Sequence, residues 1–284
     1  MKRQKRVLAV HDISGVGRCS LTVALPIISA AGIECSVLPT AVLSTHTGGF
    51  TGYTFRDLTD DLLPMARHWA ELGERFDAIY TGYLGSFAQM DMMREVFSIL
   101  ADKDTLLAVD PVMGDNGKLY AAFDMTFPPA MRDLCAHADL IKPNLTEAAL
   151  LLGEEYRPGP YTKAYIEDLL SRLAEATRTE KIVLTGVYFD EEKLGAATFD
   201  AKTGEIAYIF GENVPGLYHG TGDVFGSALV GALVRGLSLS EAVRASVDFT
   251  VAAIQTTAQA GTNIRYGVNF EENLPVYMKS LGIL

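Results

Sequence analysis

Apolar and polar residues along this chain follow two rhythms. Short apolar runs bounded by Gly, Asn and Asp read as strands, and stretches with apolar positions three and four apart read as amphipathic helices. RVLAV (6–10) is the first predicted strand. SLTVALPIISAAG (20–32) is predicted as a helix that Pro26 kinks or restarts. ECSVLPTAVLS (34–44) is a second strand region, and LTDDLLPMARHWAELG (58–73) is a helix with an internal proline. DAIYTGYL (77–84) is a strand, FAQMDMMREVFSILAD (87–102) a helix and TLLAVDPV (105–112) a strand. A short helix, AMRDLCAHA (130–138), precedes the strand DLIKPN (139–144). Helices LTEAALLLG (145–153) and YTKAYIEDLLSRLAEAT (161–177) lead to the strand KIVLTGV (181–187). The rhythm then changes. KLGAATFD and EIAYIFGENV, joined through AKTG, read as a hairpin, and two helices follow at 221–236 and 240–260.

Strand–helix alternation of this kind predicts a mostly parallel sheet with helices on both faces. No repeat, low-complexity tract or Ser/Gly linker interrupts it, so residues 1–284 are expected to form one α/β domain. Ligands of such sheets bind beyond the carboxyl ends of the strands. The segments to inspect are therefore HDISGVGR, STHTGG, TGYLGS, DPVMGDNG, KPNLTE and TGV.

Composition narrows the function. The chain is 49% hydrophobic and 21% charged, with a net charge of -11. That balance argues against a nucleic-acid binder, which carries a basic face. The one basic cluster, MKRQKR, precedes an apolar run too short for a signal peptide and reads as a solvated lead-in to the first strand. No apolar run approaches the ~20 residues of a membrane span. The cysteines, Cys19, Cys35 and Cys135, are few and unpaired in sequence, which points to a reducing cytoplasm.

The candidate chemistry centres on YHGTGDVFGSAL (218–229). A helix N-terminus leaves N–H groups unpaired and carries partial positive charge. Glycines at 220 and 222 let an anion approach them, so Gly220, Thr221 and Gly222 read as an anion hole suited to phosphate. Asp223, placed beside that anion, makes sense as a general base for an attacking hydroxyl. The bland alternative is a helix cap with a favourable first-turn acid. Asp110 and Asp115, in DPVMGD, have the chemistry to hold Mg²⁺ beside phosphate oxygens, or to make a turn. Asn144 and Glu147 have capping-box spacing. Lys142 reads either as a phosphate contact or as a solvated strand-end charge. No Walker A motif is present, so a P-loop kinase is excluded.

GTGD, DPVMGD and NLTE together resemble the ribokinase-like superfamily. LSTHTGG (43–49), YTGYLGS (80–86) and Tyr120 make the chain similar to the pyridoxal kinases within it, over about Val7 to Ala260. The resemblance implies a three-layer sandwich without a separate lid domain, and a homodimer. It implies transfer of phosphate from ATP to the 5′-hydroxymethyl group of a B6 vitamer, with Mg²⁺ and K⁺. Asp223 would be the base. Asp115, Asn144, Lys142 and Thr185 would serve ATP, and Asp110 and Glu147 the metal. His46, Thr47, Tyr83 and Tyr120 would line the acceptor pocket. Where relatives carry Gln-Ser-His, this chain has VHDISGVGR, so Asp12 or Ser14 takes the pyridine contact. HDISGVG also resembles the opening of hydroxymethylpyrimidine kinases, the alternative reading. A non-catalytic B6 or nucleotide sensor is the alternative from another class.

Overall fold

Successive side chains of a strand point to opposite faces of its sheet. In β1 (Arg6–Val16), Val7 and Ala9 enter one apolar core while Leu8 and Val10 enter another. This alternation is what sandwiches the sheet between two helical layers. It is seen in a computed structural model that describes residues 3–284. The first two residues of the basic lead-in lie outside the described residues.

Six strands form the parallel centre. They are β1, β2 (Glu34–Thr45), β4 (Ala78–Thr81), β5 (Leu106–Val109), β8 (Leu140–Ile141) and β9 (Lys181–Val187). β10 (Lys193–Asp200) and β11 (Glu205–Glu212) add the expected antiparallel hairpin at one edge. β3 (Phe55–Asp57) pairs antiparallel at the other edge. The spatial order is β11-β10-β9-β8-β5-β4-β1-β2-β3. Strand order reverses between β1 and β4, the crevice where open α/β sheets bind ligands.

On the Val7 face lie α1 (Leu21–Ala30), α7 (Thr221–Arg235), α8 (Leu239–Ala260) and α9 (Leu274–Ser280). On the Leu8 face lie α2 (Thr59–Glu71), α3 (Phe87–Leu100), α4 (Phe127–Cys135), α5 (Leu145–Leu152) and α6 (Lys163–Thr177). The only other sheet among the described residues is a small hairpin, β6 (Gly114–Asp115) with β7 (Lys118–Leu119). Among the described residues there is no separate lid domain.

Several expectations are corrected. Pro26 and Pro64 divide neither α1 nor α2. Each stands in the second turn, where a missing N–H forfeits one intrahelical bond and core packing holds the rest. HDISGV is strand rather than loop: β1 runs on to Val16, paired with β2 through Thr45, with a register shift between His11 and Ile13. Such a bulge re-aims side chains next to a site. The short helix predicted at 130–138 begins at Phe127, because Pro128 and Pro129 suit a first turn. β3, the β6–β7 hairpin and α9 were not foreseen.

The position of α7 matters most for function. Its Gly226 faces β4 so closely that an added Cβ would stand 2.2 Å from Tyr80 Oη and 3.0 Å from Lys142 Cε. Tyr80 is buried and has no room to withdraw. Gly226→Ala is expected to cost ~1–3 kcal/mol, read as a lower urea midpoint. An unchanged midpoint would show that α7 is not seated by this contact.

Candidate functional site

The site grows from the carboxyl ends of the parallel strands and the N-terminus of α7. Gly220 caps α7 with φ 76°. A Cβ there would stand 2.1 Å from the Arg18 carbonyl oxygen, so the glycine is required by the loop that leaves β1. Gly222 differs. A Cβ at Gly222 would have as its nearest neighbour only Lys142 Nζ, at 3.9 Å. The protein leaves this space free, above exposed helix N–H groups, where an anion would lie. Thr221 sits between the two glycines and donates its hydroxyl to the Tyr218 carbonyl, 3.2 Å away.

Lys142 is not a solvated strand-end charge. It is 6% exposed and its ammonium stands 2.9 Å from Asp110 Oδ2. Burial opposes the charge, but Asp110, Glu147 and Asp223 outweigh it and raise the ammonium's pKa above the usual lysine value. One buried cation therefore faces three carboxylates. Burial, reinforced by Asp110, pushes Glu147 up to about 8. Burial also raises Asp110, against the pull of Lys142.

Asp223 is pushed up to about 7. Desolvation is the main cause. The Ser20 N–H, 2.8 Å from Oδ2, opposes it, while Asp110 and Asp12 add repulsion. A carboxylate with this pKa is suited to taking a proton near neutral pH.

Asn144 and Glu147 do form a capping box at α5, with Glu147 N–H to Asn144 Oδ1 at 2.8 Å and Asn144 N–H to Glu147 Oε2 at 2.9 Å. The Met113 N–H also reaches Glu147, at 3.3 Å. Asn144 Nδ2 donates to the Gly114 carbonyl, tying the box to the β6–β7 hairpin. Thr185 bridges to Asn144 along the sheet. Asp115 is exposed and bonded by Asn116, as turn chemistry predicts. Among the described residues no three His, Cys, Asp or Glu side chains converge as a ready metal cage. The donor set nonetheless fits Mg²⁺, which keeps waters and takes one or two carboxylates plus phosphate. Asp110 and Glu147 are buried and share the one ammonium of Lys142, which stands next to the open space at Gly222.

Asp12, Ser14, Tyr83 and His46 form a second group of neighbouring side chains. Asp12 is buried and accepts the Ser20 hydroxyl at 2.6 Å and the Ser14 hydroxyl at 3.3 Å. Burial raises its pKa against those bonds. The Tyr83 phenol is raised by burial, then by Asp12 and Tyr53, and its ring lies 5.6 Å from Phe123. His46 accepts from the Gly48 N–H at Nδ1 and lies 2.6 Å from the Arg265 carbonyl at Nε2, which fixes the Nε2–H tautomer. Thr47 is exposed beside it. Tyr120 falls elsewhere. It is 40% exposed, follows the β6–β7 hairpin with its N–H on the Met113 carbonyl, and its phenol is raised by partial burial and by Glu147, Asp115, Asp110 and Asp223.

Three contributors were missed in the sequence. Ser20 joins Asp12 to Asp223. His219 lies with its ring 5.4 Å from that of His46. His11 is buried edge-on to Tyr80, its nitrogens unpartnered, and burial with nearby Lys142 pushes it down to about 3. Position just before the GTGD glycines was the available signal for His219; the other two gave none.

Comparison with known proteins agrees with this architecture. Residues 28–268 match the family described as phosphomethylpyrimidine kinase. A pyridoxal kinase structure from Lactobacillus plantarum is 34% identical, covers 98% of both chains and has a TM-score of 0.88. A Bacteroides thetaiotaomicron protein, classed provisionally as a phosphomethylpyrimidine kinase and crystallised with pyridoxal, is 38% identical. It covers 97% of this chain and 96% of its own, with a TM-score of 0.91. The pyridoxine/pyridoxal/pyridoxamine kinase of Bordetella pertussis is 28% identical over 279 residues, 90% of each chain. The chain belongs to the phosphomethylpyrimidine kinase family and, within it, to the pyridoxal kinases.

Proposed function

We propose that this protein transfers the γ-phosphoryl group of ATP to the 5′-hydroxymethyl group of a B6 vitamer. The observation that carries the reading is the open space over Gly222 with Asp223 at its side, linked through Ser20 to Asp12, which neighbours Tyr83. The names of the Lactobacillus, Bordetella and Bacteroides relatives favour a B6 vitamer over a thiamine precursor as acceptor.

In this reading the triphosphate lies along the α7 N-terminus, with Gly220, Thr221 and Gly222 as the anion hole. Lys142, Asn144, Thr185 and Asp115 serve its phosphate chain, and Tyr120 covers it. Asp223 aligns the acceptor hydroxyl and takes its proton. The hydroxyl oxygen then forms a bond to the γ-phosphorus as the bond to the β-phosphate oxygen breaks and ADP leaves. Asp110 and Glu147 would hold Mg²⁺, which neutralises phosphate charge when bound. K⁺ enters the proposal from the family resemblance. Asp12 or Ser14 meets the ring nitrogen or 3-hydroxyl, Tyr83 packs on the ring, and His46 and Thr47 close that end.

Residues 1–284 act as one kinase domain in this reading. Exposed Val16, Val42 and Phe55, on the β1–β2–β3 edge, are suited to a homodimer surface. No described helix is long and apolar enough to cross a membrane. The cysteines are free, which suits a cytoplasmic enzyme.

Two experiments test the catalytic end. Asp223→Asn is expected to slow single-turnover phosphorylation by ~10²–10⁴-fold while ATP binding persists. Wild-type turnover should fall as pH drops through about 7, where Asp223 gains a proton. Near-normal turnover in the variant would remove Asp223 from the base role. Gly222→Val is expected to raise the nucleotide KM or cut turnover by at least ~10-fold in a protein that still folds, since the added Cβ meets no protein atom closer than 3.9 Å. Unchanged kinetics would contradict the anion hole.

A further inference from the structure

Ser20 occupies the N-cap of α1, where a serine hydroxyl ordinarily accepts a helix N–H. Here it makes no cap hydrogen bond. Its hydroxyl turns away and donates to Asp12 Oδ1 at 2.6 Å, while its own N–H donates to Asp223 Oδ2 at 2.8 Å. The residue is 8% exposed, so neither bond competes freely with water.

The backbone is held to this purpose. Ser20 has φ 55° and ψ -131°, a conformation that glycine takes readily and a side chain disfavours. The loop before it is fixed on both sides. The Arg18 N–H bonds the Tyr266 carbonyl at 2.8 Å, and the Thr22 hydroxyl bonds the Gly17 and Cys19 carbonyls. Gly220 and Gly267 both lie close against the Arg18 carbonyl, so the loop is seated on the α7 entrance. A glycine at position 20 would relieve the backbone and keep the N–H. What it would forfeit is the hydroxyl on Asp12.

We propose that Ser20 is a positioning residue of this site. It fixes the Asp12 carboxylate at the acceptor end and the Asp223 carboxylate at the phosphoryl end, and so sets the distance between ring recognition and proton removal. The proposal rests on the reading of Asp223 as base and Asp12 as part of the acceptor pocket. Asp12 is otherwise met by the Ser14 hydroxyl and has His46 nearby; Asp223 is otherwise faced by Asp110, Asp12 and Lys142.

The test is steady-state kinetics of Ser20→Gly and Ser20→Ala with pyridoxal and ATP, in the wild-type and Asp12→Asn backgrounds. Loss of one hydrogen bond to a carboxylate predicts an acceptor KM about tenfold higher in both variants. The ATP KM should stay within about twofold, because both variants keep the Ser20 N–H on Asp223 and lose only the hydroxyl on Asp12. In the Asp12→Asn background the same substitutions should leave the acceptor KM unchanged, since the hydroxyl acts through Asp12. Ser20→Gly should melt no lower than wild type, which separates positioning from misfolding. An unmoved acceptor KM, an ATP KM rising in step with it, or additivity with Asp12→Asn would each overturn the proposal. Asp223→Asn assayed alongside keeps the two readings apart, because near-normal turnover there would defeat the base assignment whatever Ser20 does.

Discussion

The buried ion pair between Lys142 and Asp110 is the constraint on which the site depends. It lies where β5 and β8 end and α7 begins, and it leaves Glu147 and Asp223 without a full counter-charge. Removing one member of such a pair strands the other in a poor solvent, typically at a cost of ~3–5 kcal/mol. The pair is thus weak ground for claiming extra stability and strong ground for claiming function. A site short of positive charge is one that a cation completes, and a carboxylate with a pKa near neutrality is one that can accept a proton. Both needs are met in phosphoryl transfer, where catalysis is mostly alignment and charge neutralisation.

The two ends of the site are built differently. The phosphate end is made of backbone: a left-handed Gly220, an open Gly222 and the first turn of α7. The acceptor end is made of side chains carried by the extension of β1 past its bulge. Ser20 is the only described residue bonded to both Asp12 and Asp223. This division accounts for how relatives with differently named acceptors keep one fold. In the proposed reading, the chemistry resides in the helix entrance and ring selection in strand-end side chains.

Much of this was legible in the sequence, for physical reasons. Alternating apolar runs gave the parallel sheet and its two helical layers, and AKTG gave the edge hairpin. GTGD stood out because a helix start without side chains can admit an anion, although a helix cap explained it as well. The continuation of β1 was hidden because Asp12, Ser14 and Gly15 break the apolar pattern; pairing with β2, not local propensity, holds it extended. Lys142 stayed open between a phosphate contact and a solvated strand-end charge because a lysine shows its burial only through its tertiary partner. Asn144 and Glu147 offered a capping box or a ligand site, and the box is formed while its glutamate stays buried beside Asp110. Ser20 drew no attention at the start of a predicted helix, and only the direction of its hydroxyl reveals its role.

The central claim is the reaction itself, and acceptor choice tests it most directly. Purified protein with ATP, Mg²⁺ and K⁺ would be offered pyridoxal, pyridoxine, pyridoxamine and hydroxymethylpyrimidine one at a time, with ATP consumption followed and product masses recorded. The account predicts preferred turnover of a B6 vitamer, with one phosphoryl group added to it. Turnover of the pyrimidine alone, or none of the four by a folded protein that binds ATP, would contradict it.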